Sequence, residues 1–309
     1  DLVFTAIGQE EIKKSPAELI YDSEIISVVG IMEVISKYSE IKKALSLAKQ
    51  HIIDNKPDLI VLIDYIEFNT KIAKFAKTQN IPVLFYIAPQ VWAWREKRTK
   101  SFVKNIDHLA VVFPFEKHFF NKYTSNVTFV GHPLIDNDSL KINSIDHKER
   151  IIDLGLFPGS RESEIKNNIY LMLDCIQKNK NENIRIFYAN NSSREILLSL
   201  LPSEYHNLLE SGKNKTAIAN CKKALCASGT ITLELAILGI PMVIMYKLSF
   251  ISYLIMKSMI KIKYIGLVNL ILGDKIGSDA FIKEFIQPNY SDQVDIMVEL
   301  NKIDNDQVY

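Results

Sequence analysis

Short runs of β-branched, leucine and aromatic residues recur along the chain. Each is followed by a stretch with helical spacing, and this alternation restricts the fold more than any other feature. KPDLIVLID (Lys56–Asp64) is one such run, and EFNTKIAKFAKTQN (Glu67–Asn80) follows it with apolar positions at helical intervals. IPVLFYIAP (Ile81–Pro89) and NIDHLAVVFPFE (Asn105–Glu116) continue the set. Strands without a polar face are buried on both sides, the condition of a parallel sheet flanked by crossover helices. Upstream, Ile31, Val34, Ile35, Tyr38, Ile41, Leu45 and Ala48 form an amphipathic stripe over Gly30–Asp54, in one helix or two. FVGHPLIDND (Phe129–Asp138) closes a strand at Gly131–Pro133, and the polar stretch NDSLKINSIDHKER reads as a linker. A second alternating set then opens with IIDLGLFPGSRESEI and runs through IRIFYANN to ALCASGTITLELAILGIPMVIMYK. The predicted fold is α/β, with two Rossmann-like domains at residues 1–145 and 146–309.

Composition removes several function classes. With 37 Lys and Arg against 36 Asp and Glu the net charge is +1, so the chain as a whole is no electrostatic nucleic-acid binder and any basic site is local. The three cysteines (Cys175, Cys221, Cys226) lack metal-ligand spacing and the histidines lack zinc-type spacing. No bound metal is expected, and the cysteines read as small buried hydrophobes in a reducing compartment. Bilayer crossing needs roughly 20 consecutive apolar residues. The nearest stretch, Leu248–Gly273, is interrupted by Lys257, Lys261 and Lys263. The chain opens on Asp1 directly in the strand-like LVFTAIG, so a preceding segment is expected.

Two strand–turn–helix junctions carry anion-binding chemistry. In LGLFPGSRESEI, Gly159 permits close backbone approach, Ser160 opens a helix with unpaired N–H groups, and Arg161 adds a charged fork suited to phosphate. An ordinary turn capped by Ser160, with Arg161 solvated, fits the same spacing. ASGTITLELAILG repeats the theme: Ser228, Gly229 and Thr230 precede a helix whose Glu234 could accept from ribose hydroxyls or simply face solvent. Asp64 ends an apolar strand, where open α/β sheets bind ligands. It suits a general base toward a sugar hydroxyl, or a plain cap, with Glu67 and Asn69 on the next turn. His132 in VGHP reads first as a structural hydrogen-bonding group. The only two tryptophans, Trp92 and Trp94, stand beside Arg95, Lys97 and Arg98 in QVWAWREKR. A phosphorylated ligand, a membrane surface, a nucleic acid or packing would each explain that cluster.

Taken together and in order, PQVWAWREKR, PFEKHFF, VGHPLID, PGSRESEI, ASGTITLE and IGLVNLILG resemble the lipid-A-disaccharide synthase family, from about Leu19 to Pro288. The resemblance implies a glycosyltransferase of the two-Rossmann-domain B type, its halves facing an interdomain cleft, with residues 1–145 taking the acceptor and 146–309 the UDP-sugar. It implies inverting transfer of 2,3-diacylglucosamine from UDP to the 6-hydroxyl of 2,3-diacylglucosamine 1-phosphate, with no cofactor. Asp64 matches the family's essential Asp and would be the base; Arg161 matches the essential Arg and would neutralise departing UDP. Gly159, Ser160, Ser228, Gly229, Thr230, Glu234 and Asn269 would hold the donor. Trp92, Trp94, Arg95, Arg98, Asn69 and His132 would serve the acceptor side. Attachment to the cytoplasmic leaflet of the inner membrane, through Val28–Ile35 or Phe250–Lys263, and a homodimer also follow from it; nucleic acid does not. Ile66 and Glu67 stand where the family has Pro and Asp, and the family's opening GExSGD segment is absent. Another UDP-sugar transferase or epimerase of this fold, or a catalytically silent lipid- or nucleotide-binding fragment, remain the rival readings.

Overall fold

The computed structural model describes residues 2–26, 37–94, 96–141, 145–176, 183–247, 264–272 and 281–305. The chain divides into two compact units, Asp1–Gly131 and His132–Tyr309. Each is an α/β unit of parallel strands and flanking helices.

The first unit contains β1 (Thr5–Gly8), β2 (Glu18–Asp22), β3 (Ile60–Ile63), β4 (Val83–Tyr86), β5 (His108–Val111) and β6 (Val127–Phe129). Strands β3-β4-β5-β6 form one parallel sheet, and β1-β2 form a second. Helices α1 (Tyr38–Asn55) and α2 (Ile66–Thr78) pack together through their buried faces. The α1 face is Ala44, Ala48 and Ile52, spaced one helical turn apart, and the small alanines let α2 approach with Phe68, Ile72, Ala73 and Ala76. Phe85 of β4 is fully buried and meets Phe102 edge-on at 5.0 Å. Helix α3 (Pro114–Phe120) begins at a proline, whose missing N–H is no loss at a first helical position.

The second unit holds β7 (Ile152–Phe157), β8 (Ile184–Tyr188), β9 (Leu209–Ser211), β10 (Cys221–Ala227), β11 (Met242–Tyr246) and β12 (Glu284–Ile286). These form a six-stranded parallel sheet in the order β12-β11-β10-β7-β8-β9. Numbered within the unit this is 6-5-4-1-2-3, the doubly wound order in which successive connections reverse direction between the first and fourth strands. The reversal falls between β7 and β10, which pair directly, with Leu154 opposite Lys223 and Cys226 opposite Phe157. Helices α4 (Glu162–Ile176), α5 (Asn191–Leu200), α6 (Ile231–Ile237), α7 (Leu267–Leu272) and α8 (Gln293–Asn305) flank the sheet. Ile165, Ile169 and Met172 of α4 and Ile296 and Leu300 of α8 supply its core.

Two features brace this unit. Arg150 is buried and spends its guanidinium on backbone carbonyls. It donates to Cys221 at 3.1 Å, to Leu238 at 3.3 Å, to Gly239 at 3.1 Å and to Ile145 at 3.3 Å. One cation thus ties the approach to β7, the start of β10 and the C-terminal end of α6, where a positive charge is favoured. The rings of Phe157 and Phe187 stack at 4.6 Å, and Gly155 leaves them room. A Cβ there would stand 2.9 Å from both the Cys221 sulfur and the Phe157 ring. Gly155→Ala is therefore expected to destabilise the unit by about 1–3 kcal/mol through overpacking, read as a lower denaturant midpoint. An unchanged midpoint would contradict the packing described.

Candidate functional site

The switch point brings two of the sequence motifs to one place. The turn after β7 delivers Gly159, Ser160 and Arg161; the turn after β10 delivers Ser228, Gly229 and Thr230, with Glu234 one turn into α6. All seven line one cavity of about 400 Å³. More of its wall comes from the ends of β8 and β9 and the chain just beyond them, including Phe187, Tyr188, Gly212, Lys213 and Lys215. Sheet topology is the reason: adjacent β7 and β10 send their chains to opposite faces, leaving a crevice above their carboxyl ends.

The two glycines differ. Gly159 has φ +120°, and a Cβ there would lie 2.6 Å from Glu164 Cβ. A Cβ on Gly229 would meet nothing within 4 Å. Glu164, at the third position of α4, folds back so that its Oε2 accepts from the Ser160 N–H at 3.1 Å and the Arg161 N–H at 3.4 Å. Its Oε1 accepts from Arg161 Nη1 at 3.2 Å. The negative charge of Glu164 helps push the Tyr246 phenol up, after burial, and Arg161 opposes it. Glu234 is half-buried and bound by Lys215 Nζ at 2.5 Å, which also donates to the Gly212 carbonyl at 2.9 Å. Cationic Arg161, Lys213 and Lys215 and carboxylates Glu164 and Glu234 thus face one space, with N–H donors at the turn: a site suited to a diphosphate with a hydroxylated sugar beside it.

Asn269 is placed differently. It is buried in α7, its Nδ2 donating to the Ile282 carbonyl at 2.7 Å and Glu284 Oε1 at 2.6 Å, its Oδ1 accepting from the Ile282 N–H at 2.9 Å. It joins α7 to β12 and is not among the described residues lining the cavity.

In the first unit, Asp64 follows β3 with an exposed side chain on a left-handed backbone, φ 47°, and Tyr65 follows at φ 36°. Asp tolerates that region and tyrosine seldom enters it, so the turn must be held from outside. Asn69 holds it: buried, its Nδ2 donates to the Ile63 carbonyl at 3.0 Å and the Asp64 carbonyl at 2.8 Å. Ile87 at the end of β4 has φ 64°, a strained setting for a β-branched residue, just before the tryptophan segment.

Trp92 is partly buried; its Nε1 donates to Glu116 Oε1 at 3.1 Å and its ring meets Phe115 edge-on at 4.9 Å. Burial pushes the Glu116 carboxyl up to about 7, against hydrogen bonds from Phe113, Trp92 and Val112 that pull it down. Arg98 is exposed and reaches Glu67 at 3.3 Å. His132 Nδ1 accepts from the Leu134 N–H at 3.2 Å, and burial lowers its pKa, favouring the neutral ring. Arg95, the Trp94 side chain, Val28–Ile35 and Phe250–Lys263 lie outside the described residues.

Sequence reasoning passed over Glu164 and Lys215. Glu164 had a readable signal, a glutamate at the third helical position, where it reaches back to the first N–H groups. Lys215 had none, because its partner lies 19 residues away and meets it only through the fold.

Among the described residues no three His, Cys, Asp or Glu side chains group as metal ligands, and no helix is long and apolar enough to cross a membrane. Among solved structures, UDP-GlcNAc 2-epimerase from Neisseria meningitidis, bound to UDP-GlcNAc, covers 97% of this chain and 99% of its own at TM-score 0.55 and 14% identity. The calicheamicin glycosyltransferase CalG4 covers 98% and 86% at TM-score 0.53 and 13% identity. At those identities they establish the fold, two Rossmann-like units of the glycosyltransferase-B kind. Sequence relatives are nearer. Lipid-A-disaccharide synthase of Geobacter metallireducens is 36% identical over 288 residues, 89% of this chain and 74% of the relative. That of Nitrosococcus oceani is 36% identical over 290 residues, with the same shares. The lipid-A-disaccharide synthetase family profile matches residues 1–308. The chain thus belongs to the lipid-A-disaccharide synthase family, the hexosyltransferases of lipid A biosynthesis.

Proposed function

We propose that this chain transfers 2,3-diacylglucosamine from UDP to the 6-hydroxyl of 2,3-diacylglucosamine 1-phosphate, giving a β-1,6 disaccharide 1-phosphate and UDP. The observation that carries the reading is the convergence of Gly159–Arg161 and Ser228–Thr230 on one cavity at the switch point of the second unit. The acceptor oxygen attacks the anomeric carbon and its proton passes to Asp64. The bond to UDP breaks in the same displacement, its electron pair moves onto the β-phosphate oxygen, and the configuration inverts. Arg161 meets the charge that grows there, where a fixed donor stabilises the transition state more than the bound substrate. That supply of positive charge supports a reaction without metal or cofactor.

Residues 1–145 take the acceptor and 146–309 the donor. Ser160, Ser228 and Thr230 contribute to diphosphate binding, and Glu234, aimed by Lys215, takes the ribose hydroxyls. Trp94, Arg95 and Arg98 meet the acceptor's 1-phosphate or lipid headgroups, and His132 contributes a neutral imidazole. Asn69 acts through the Asp64 turn, Trp92 through Glu116 and Asn269 through α7. Four acyl chains on the two substrates support peripheral attachment at the cytoplasmic face of the inner membrane, near Val28–Ile35 or Phe250–Lys263. A homodimer is part of the same reading, and the +1 net charge argues against a nucleic-acid partner.

An acceptor panel tests it. In mixed micelles, UDP release is expected with diacylated donor and acceptor, undiminished by EDTA, and at least about tenfold slower with unacylated glucosamine 1-phosphate. Equal rates with both acceptors, or epimerisation of UDP-GlcNAc in their place, would reassign the chain to another activity of the same fold.

A further inference from the structure

The turn expected to receive the diphosphate already holds an anion, and that anion belongs to the chain. Ser160 N–H, Arg161 N–H and Arg161 Nη1 all donate to the Glu164 carboxylate, at 3.1, 3.4 and 3.2 Å. Two backbone N–H groups and an arginine fork are the donor set a phosphate would use. Gly159 makes the seat: with any side chain there, the new Cβ would stand 2.7 Å from Glu164 Oε2. Glu164 lines the cavity, and its side chain is 27% exposed, so it has a route to solvent. The cavity's other carboxylate, Glu234, is held in place by Lys215 and touches none of these donors.

We propose that Glu164 sets donor affinity by occupying the phosphate seat until the ligand's diphosphate displaces it. The inference rests on the cavity being the UDP-sugar site and adds to that reading a built-in competitor. A carboxylate and a phosphate cannot share the same three donors, and their like charges repel at hydrogen-bonding distance. Binding therefore exchanges one anion for another, and Arg161 is released from its partner in the same event. If Glu164 served instead to aim Arg161 at the ligand, removing its charge would weaken binding. The two roles differ in sign.

Calorimetric titration of the full chain with UDP, inorganic pyrophosphate and uridine separates them. Glu164→Gln keeps the shape of the side chain and removes its charge. It is expected to tighten UDP and pyrophosphate by about ten- to 150-fold, the range of one charge-assisted hydrogen bond, and to leave uridine unchanged. Glu164→Ala is expected to move affinity in the same direction, and it decides the matter if the Gln variant melts below assay temperature. UDP binding that is unchanged or weaker in the variants, with wild type binding normally, overturns the proposal and leaves the reading of the site intact. Failure of wild type and both variants to bind UDP overturns both. Binding by the variants alone supports the competitor in its strongest form.

Discussion

Asp64→Asn is expected to reduce the rate of UDP release by about 10²–10⁴-fold, the usual contribution of a general base, while UDP affinity stays within about twofold. The substitution suits the local backbone. Asp64 sits at φ 47°, a region that Asp and Asn enter several times more often than other residues, so the variant keeps the turn. The Asn69 clamp binds main-chain carbonyls of Ile63 and Asp64 and is untouched by the change. What disappears is the capacity to accept a proton. Initial rates at saturating donor and acceptor, with calorimetry for UDP, measure the two effects separately. A rate within threefold of wild type would remove Asp64 from the chemistry and return it to the role of a turn residue. Glu67→Gln is the internal control: its carboxylate is exposed and paired with Arg98, and a surface pair contributes about 0–1 kcal/mol.

Arg161→Ala should produce the other large loss, about 10²–10³-fold in turnover, together with weaker UDP binding. The loss in rate is expected because charge on UDP grows as the sugar departs. Arg161→Lys should recover only part of it, since an ammonium is a point charge without the planar fork that spans two oxygens. The structure also predicts how this change combines with the one at Glu164. Their side chains touch at 3.2 Å, so the effects should not add. In an Arg161→Ala background, neutralising Glu164 should still free the backbone N–H groups at positions 160 and 161 for the ligand. Rates and affinities of the two single variants and the double variant complete the cycle. Turnover of Arg161→Ala within a few-fold of wild type would show that the departing group is stabilised elsewhere.

Much of this arrangement was legible before any coordinates. Continuous apolar runs such as IIDLGLF and ALCA marked strands buried on both faces, a consequence of local chemistry, whereas the run Asn105–Glu116 ends as a strand at Val111 and turns into a helix at Pro114. The motifs PGSR and SGT were legible as strand–turn–helix junctions for the same reason. What the sequence left open was the pairing of β7 with β10, which depends on contacts about 70 residues apart and puts both turns over one cavity. Trp92 shows the opposite limit. Its surroundings in sequence left a ligand boundary and plain packing both open, and only the fold shows its indole N–H given to Glu116, 24 residues on, and its ring to Phe115. Asn269 likewise sits in a segment similar to a family motif, and its polar atoms are committed to Ile282 and Glu284. Sequence identifies the type of side chain; only the fold decides which neighbour consumes its hydrogen bonds.

Arg150 has a consequence for how the second unit comes apart. A guanidinium keeps its charge at any ordinary pH and cannot leave water cheaply until acceptors surround it. Its acceptors come from Ile145, Cys221, Leu238 and Gly239, so three distant stretches of chain must assemble before that desolvation is repaid. No one of them gains much by arriving alone. The wall that carries Glu234 is therefore built into the global folding transition and does not fray as a separate local element.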